Sequence, residues 1–407
     1  MHRFILSFSV LFCTFFTYSV LAEPSELRTL NEITAIMGKH YYDTSYHGLE
    51  WNKMVENTKN KIIKAKSSKE RYEYITKLLK SLKHSHLEFV PPGMKKEDGP
   101  RIPMASPKEI NFEIEQVKSK WTVTRLKEDS DAAKAGLKLG SVISKFNQWE
   151  AKELFNKEKT MAFYRMRQML LHYPKRKITV TLEGKEEPIS WELASFKGTY
   201  EKLGFIKDAA EFEKKILPGN IGYIRFSIFL VNPAKATIKA IKEFRDKGCS
   251  GIIIDIRNNP GGVAMMAPAI VKEFCQENYN LGTQKGRDMT LKFPVFKQPK
   301  PYKGKVVILV NKTSASTSEI LAAGTQAVKS AYIIGETTAG MALPSVMVTL
   351  KDGSIFQYPV ADFKTIDGKN IEGIGAIPDL KVSHSQKSLS EGKDIFIEKA
   401  IKYINSN

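Results

Sequence analysis

Val306-Val307-Ile308-Leu309-Val310 runs into Asn311-Lys312-Thr313-Ser314-Ala315-Ser316-Thr317-Ser318-Glu319, which reads as a buried strand, a polar loop and the start of a helix. Five apolar side chains in succession, without alternation, mark a strand covered on both faces, as in a parallel sheet. The same succession recurs outward from it. Upstream, a strand over 221–226 precedes a helix over 233–245, and Ile252-Ile253-Ile254-Asp255-Ile256 leads through Arg257-Asn258-Asn259-Pro260-Gly261-Gly262 to a helix over 264–275. Downstream, a helix over 317–328 precedes a strand over 332–334 and the turn Gly335-Glu336-Thr337-Thr338-Ala339-Gly340. Strand-helix alternation of this kind implies a layered α/β sheet. Strands over 345–350 and 355–360 and an amphipathic helix over 393–404 complete a half that begins near Tyr200.

A hydroxyl at a helix start suits a nucleophile, because unpaired amides and the helix dipole there stabilise developing negative charge. Ser316 is the candidate, and the Thr317 amide beside it is a natural oxyanion donor. Ordinary N-capping by one of these serines is the competing reading. Gly261 and Gly262, after another buried strand, let backbone approach a substrate closely and supply candidates for a second oxyanion donor, against the plainer reading of a tight turn.

The first half is organised differently. Residues 27–84 are patterned as helices, the clearest opening with the capping box Ser67-x-x-Glu70 ahead of Ile75, Leu78, Leu79 and Leu82. Leu87, Phe89 and Pro91-Pro92 then suggest an extended segment, which sets Lys83-His84-Ser85-His86 at a helix-to-strand corner. Residues 111–193 read as strands around a short helix at 132–135 closed by Gly136, with a tight turn at Gly140. This stretch resembles a PDZ domain, although Ser141 stands where an aspartate is usual. The resemblance makes 161–171 the wall of a groove that takes a peptide as an added strand.

Taken in order, the Ser316, Gly261-Gly262 and Gly335–Gly340 segments and Glu372-Gly373-Ile374-Gly375-Ala376-Ile377-Pro378-Asp379 resemble the tail-specific, or carboxyl-terminal processing, peptidase family. The resemblance implies an α/β catalytic domain of the crotonase and Clp-protease type, preceded by an N-terminal helical domain and a PDZ-like domain. The serine-lysine branch of that family has its lysine base just after the Gly335–Gly340 segment, where this chain has Met341, and a glutamine four residues on, where it has Ser345. The histidine-containing branch, which resembles the tricorn core peptidase, fits better. By that likeness Ser85-His86 is the serine-histidine pair, Ser316 the nucleophile of a Ser-x-Ser-Glu pattern ending at Glu319, and Glu372 the downstream glutamate. His84 departs from the aspartate common at its position. The implied chemistry is peptide-bond hydrolysis through an acyl-enzyme on Ser316 with His86 as general base, oriented by Ser85 and Glu372. A non-catalytic alternative exists on the same fold, since the Gly335–Gly340 segment also resembles the interphotoreceptor retinoid-binding branch, which carries hydrophobic ligands; that branch lacks the serine. A peptide-capturing scaffold is a third reading.

Bulk properties bound these expectations. His2-Arg3, an apolar run over 4–21 and Val20-Leu21-Ala22 read as a signal peptide over 1–22, with an uncleaved anchor as the competing reading. The domain boundaries expected are therefore 23–105 for the helical domain, 106–198 for the PDZ-like domain and 199–407 for the peptidase domain, in a periplasm or secreted. The net charge of +19 is scattered through every segment without basic-aromatic runs, so nucleic acid is not an expected partner; a peptide or unfolded protein is. Cys249 and Cys275 cannot build a disulfide scaffold; one bridge between them is compatible with an oxidising compartment but not required, and two small core residues is the plainer reading. His84-x-His86 lacks further ligands at recognisable spacing, so no metal is expected, and the proposed chemistry implies no cofactor. An oligomer is compatible with the sequence.

Overall fold

The computed structural model describes residues 23–92, 110–155, 177–196, 199–203 and 206–406. The expected signal segment over 1–22 and the groove helix over 161–171 lie outside these residues.

Helices Ser25–His40, Trp51–Lys64 and Ser68–Lys80 pack around Leu30, Ile33, Ile62 and Ile75, and the short strand β1 (Glu88–Val90) leaves them. The last helix opens as its sequence predicts: the Glu70 amide donates to Ser67 Oγ at 3.2 Å. A second unit has its own core around Phe112, Val123, Phe146 and Val180. It contains the hairpin β2 (Phe112–Val117) and β3 (Lys120–Leu126) and the strands β4 (Ile143–Phe146), β5 (Trp149–Glu150), β6 (Lys177–Leu182) and β7 (Ile189–Glu192). A hairpin of β8 (Thr199–Leu203) and β9 (Ile206–Ala210) leads onward.

The remaining residues build a six-stranded sheet in the order β10 (Phe212–Leu217), β11 (Ile221–Phe226), β12 (Gly251–Asp255), then β15 (Lys305–Val310), β16 (Tyr332–Gly335) and β20 (Leu380–Lys381). All pairings are parallel except the antiparallel edge β10–β11. Side chains alternate between two covered faces. Ile252, Ile254, Ile308 and Val310 meet helices Val231–Asp246, Met266–Val271 and Thr317–Ala327, whereas Ile253, Val307 and Leu309 meet helix Ile395–Asn405. Each fully buried Ile or Val here contributes about 1.5–3 kcal/mol. That accounts for the unbroken apolar run over 306–310 and the apolar majority of 252–256.

Two smaller sheets flank this layer. One is β14 (Thr290–Val295), β13 (Tyr279–Gly286) and β19 (Ala361–Thr365); the other is β1, β18 (Ile355–Pro359) and β17 (Ser345–Thr349). The second matters for the site because β1 pairs antiparallel with β18, Phe89 opposite Phe356, fastening the helical unit to the sheet unit. Two side chains reinforce that junction. Arg287 donates to the carbonyls of Tyr41 and Gly38 at 2.5 and 2.7 Å, placing a cation at the C-terminus of helix Ser25–His40. Asp352 accepts from Thr29 Oγ1 at 2.6 Å and from Tyr72 Oη at 3.0 Å.

Candidate active site

The loop after β15 ends at Ser316, whose backbone lies at φ 56 and ψ −116. Positive φ in a residue with a Cβ costs about 1–3 kcal/mol and persists only where neighbours enforce it. The enforcement is visible. The Ser316 amide is shared between the Met341 carbonyl at 3.0 Å and the Glu319 carboxylate at 3.0 Å, and Ala315 donates to the Asn259 carbonyl at 3.1 Å. Gly261 packs against this turn so closely that a Cβ there would stand 2.7 Å from Ser316 Cβ and 2.8 Å from the Thr317 nitrogen.

The amides of the two glycines are not equivalent. Gly261 already donates to Asn259 Oδ1 at 2.9 Å, which corrects the expectation that it supplies an oxyanion donor; its place is steric. Among the described residues the amides of Gly262 and Thr317 have no acceptor, and the two residues are tied by a bond from Thr317 Oγ1 to the Gly262 carbonyl at 2.9 Å. A hydroxyl and two unspent amides therefore converge where two loops meet at the C-terminal ends of β12 and β15.

Ser85 and His86 arrive from the helical unit. Ser85 donates its amide to Glu372 Oε1 at 2.8 Å and its hydroxyl to Glu372 Oε2 at 2.9 Å. Ser85 Oγ also lies 2.9 Å from His86 Nδ1. Because the serine has one proton and the carboxylate takes it, Nδ1 must be the protonated ring nitrogen, leaving Nε2 with its lone pair. Packing desolvates the imidazole and pushes His86 down to about 4, although the residue as a whole is only half-buried. Burial raises Glu372, opposed by hydrogen bonds from Ser85, Ala342 and Leu343. The Ala342 amide, 3.0 Å from Glu372 Oε2, follows the residue whose carbonyl holds Ser316. A chain of short hydrogen bonds thus runs from Ser316 through the Met341–Ala342 backbone to the side chains of Glu372, Ser85 and His86. Among the described residues the one hydrogen bond of the His86 ring is to Ser85, and a catalytic contact to a nucleophile often tightens only with substrate in place.

The other expected positions sort plainly. Met341 occupies the lysine position of the serine-lysine branch, and its backbone is used: the amide donates to Glu319 at 2.9 Å and the carbonyl accepts from Ser316. His84 turns away, its Nδ1 against Tyr41 Oη and its ring stacked 4.8 Å from His47. No group of three or more metal-ligating side chains occurs among the described residues. Cys249 and Cys275 are buried and unpaired. Sequence reasoning missed Glu319 as a hub and Asn258 as a brace. Asn258 exchanges hydrogen bonds with Asn311 at 2.9 and 2.8 Å, locking the glycine turn to the serine loop, and Glu113 of the second unit accepts from its side chain at 2.7 Å.

With the fold and this geometry in view, the comparisons point one way: residues 220–382 match the model of peptidase family S41. A probable CtpA-like serine protease of Staphylococcus haemolyticus is 28% identical over 72% of this chain and 58% of its own length. The carboxyl-terminal-processing protease of Synechocystis is 30% identical over 48% of this chain and 46% of its own. The chain thus spans about half the length of these curated relatives. The photosystem II D1 C-terminal processing protease has the same fold, with TM-score 0.61 at 23% identity over 94% of this chain and 98% of that one. The tricorn protease aligns at TM-score 0.50 and 16% identity over 93% of this chain and 36% of that one.

Proposed function

We propose that this protein is a carboxyl-terminal processing serine peptidase that hydrolyses peptide bonds of peptides or protein tails. The observation that carries the reading is the chain Glu372, Ser85, His86, which fixes the tautomer a general base needs. His86 Nε2 takes the proton of Ser316 Oγ as the oxygen adds to the scissile carbonyl. The oxyanion settles between the Gly262 and Thr317 amides. The imidazolium then returns the proton to the leaving amine, giving an ester on Ser316. Water, deprotonated by the same nitrogen, attacks that ester and releases the acid. Ser85 and Glu372 hold the ring and stabilise its transient charge.

The second unit, with its own core and strands β2–β7, is read as the PDZ-like domain that presents the substrate tail, and residues 23–105 as the helical domain that delivers His86. The apolar start over 1–22 is read as a signal for export to a periplasm or beyond; among the described residues no helix is long and apolar enough to cross a membrane. The retinoid-type binding alternative is not favoured, since the serine, histidine and glutamate are all in place. Hydrolysis of a broad peptide library by the mature protein, with folded Ser316→Ala and His86→Ala variants, tests the reading. Loss in both variants supports it. An inactive parent, or full activity in His86→Ala, overturns it.

A further inference from the structure

Glu319 is fully buried in the first turn of the helix that follows Ser316, and the mechanism above does not use it. Its carboxylate is surrounded by donors alone. Oε2 accepts the amides of Ser316 at 3.0 Å and Met341 at 2.9 Å, and Oε1 accepts the Gly340 amide at 2.8 Å and Thr338 Oγ1 at 2.5 Å. Three of these are backbone amides and cannot reverse. Thr338 can reverse only at a cost: its oxygen takes the Ala376 amide at 2.6 Å on one lone pair and could take a proton from Glu319 on the other, but its own hydrogen would then have to leave the carboxylate and find another acceptor.

We propose that Glu319 is a positioning residue whose ionised carboxylate assembles the catalytic loops, holding the Ser316 backbone against the 338–342 turn that in turn holds Glu372. The inference rests on the peptidase reading above. A proton on Oε2 would face an amide hydrogen, and a proton on Oε1 could be received only by Thr338 Oγ1, whose own hydrogen would then lose its acceptor, so the neutral acid costs at least one hydrogen bond in this cluster. The bonds at stake are those that enforce the positive φ of Ser316 and, through the Met341–Ala342 link, the place of Glu372.

No cation contributes to the hydrogen bonding of Glu319: all four partners are uncharged, and the helix N-terminus is its one further electrostatic support. The ionisable groups on the segments around it are Glu336, Glu372 and, through Glu372, His86, none of which gives the carboxylate a counter-ion while His86 is neutral. Burial accordingly raises Glu319 to about 7, well away from His86 at about 4. The two titrations are separable in one pH profile.

The test is the pH dependence of kcat and KM for the mature protein, Glu319→Gln and Thr338→Val, together with deuterium exchange of segments 314–320 and 338–343 over the same range. The parent should lose roughly tenfold in kcat per pH unit below about 7, with KM nearly constant. In Glu319→Gln, kcat should fall roughly tenfold to a hundredfold, the limb near 7 should vanish, and the exchange of both segments should stop depending on pH beyond the intrinsic effect. Thr338→Val keeps the acid but removes a donor to its charged form, so the limb should move to higher pH. A limb unchanged in Glu319→Gln, or in Thr338→Val if the first variant does not fold, overturns the proposal. A parent that hydrolyses nothing refutes the peptidase reading instead, and the exchange measurement still decides whether Glu319 holds the loops.

Discussion

Ser85 Oγ and Glu372 Oε2 meet at 2.9 Å although 287 positions of sequence separate them. One end of that bond belongs to the helical unit and the other to the sheet unit, so the orientation of His86 depends on the two being correctly docked.

Cutting the bond at either end should leave a folded, slower enzyme. Ser85→Ala should lower kcat by roughly one to two orders of magnitude and Glu372→Gln by somewhat more, because each frees the imidazole to adopt the wrong tautomer. Steady-state kinetics should show KM nearly unchanged in both.

Docking itself is open to test at Arg287, which reaches from the turn after β13 to the carbonyls closing helix Ser25–His40. Arg287→Ala should cost about 1 kcal/mol, chiefly through the partly buried Tyr41 carbonyl left unpaired. Limited proteolysis should find new cuts between residues 23 and 92, and kcat should drop because His86 is delivered less often.

Stability should depend on pH through His86. Its value in the folded protein is about 4 against an ordinary 6.5, so the folded state prefers the neutral ring. The contribution is complete above about 6.5 and is lost as pH falls from there toward 4. Urea midpoints measured across that window should slope less steeply in His86→Gln than in the parent.

At Gly261 even the smallest side chain should be excluded. A Cβ would stand 2.7 Å from both the Ala315 carbonyl oxygen and Ser316 Cβ, with φ at 98. Gly261→Ala should lose about 2–4 kcal/mol of stability and all reaction with a serine-directed phosphonate, read by denaturation and labelling side by side.

The central layer was legible because its strands are buried on both faces: the apolar-rich stretches at 221–226, 252–256 and 306–310, interrupted by charge only at Arg225 and Asp255, place β11, β12 and β15 to within a residue. The helix expected over 264–275 is shorter, Met266–Val271 followed by a tighter turn over 272–274. The sheet of β14, β13 and β19 carried no signal, since β13 is polar, rich in glycine and interrupted by a bulge. Of the candidate site, the resemblance singled out Ser316, His86, Ser85 and Glu372, and hydrogen bonds join the last three. The spent amide of Gly261 was not, because its acceptor is decided by a side-chain rotamer at Asn259. Nor was the buried Glu113, whose partner Asn258 lies 145 positions away. Charge in a sequence reads as surface until its partner is known.

On the proposed peptidase reading, the twisted backbone at Ser316 sets resistance to unfolding against turnover. Glycine is the residue that would adopt φ 56 and ψ −116 with least strain, so replacing the proposed nucleophile by glycine would relax the loop while abolishing the proposed chemistry. Variants selected only for heat tolerance would therefore be drawn toward inactivity at this position. Inert relatives that retain the scaffold are what such drift would leave once the demand for hydrolysis is lifted.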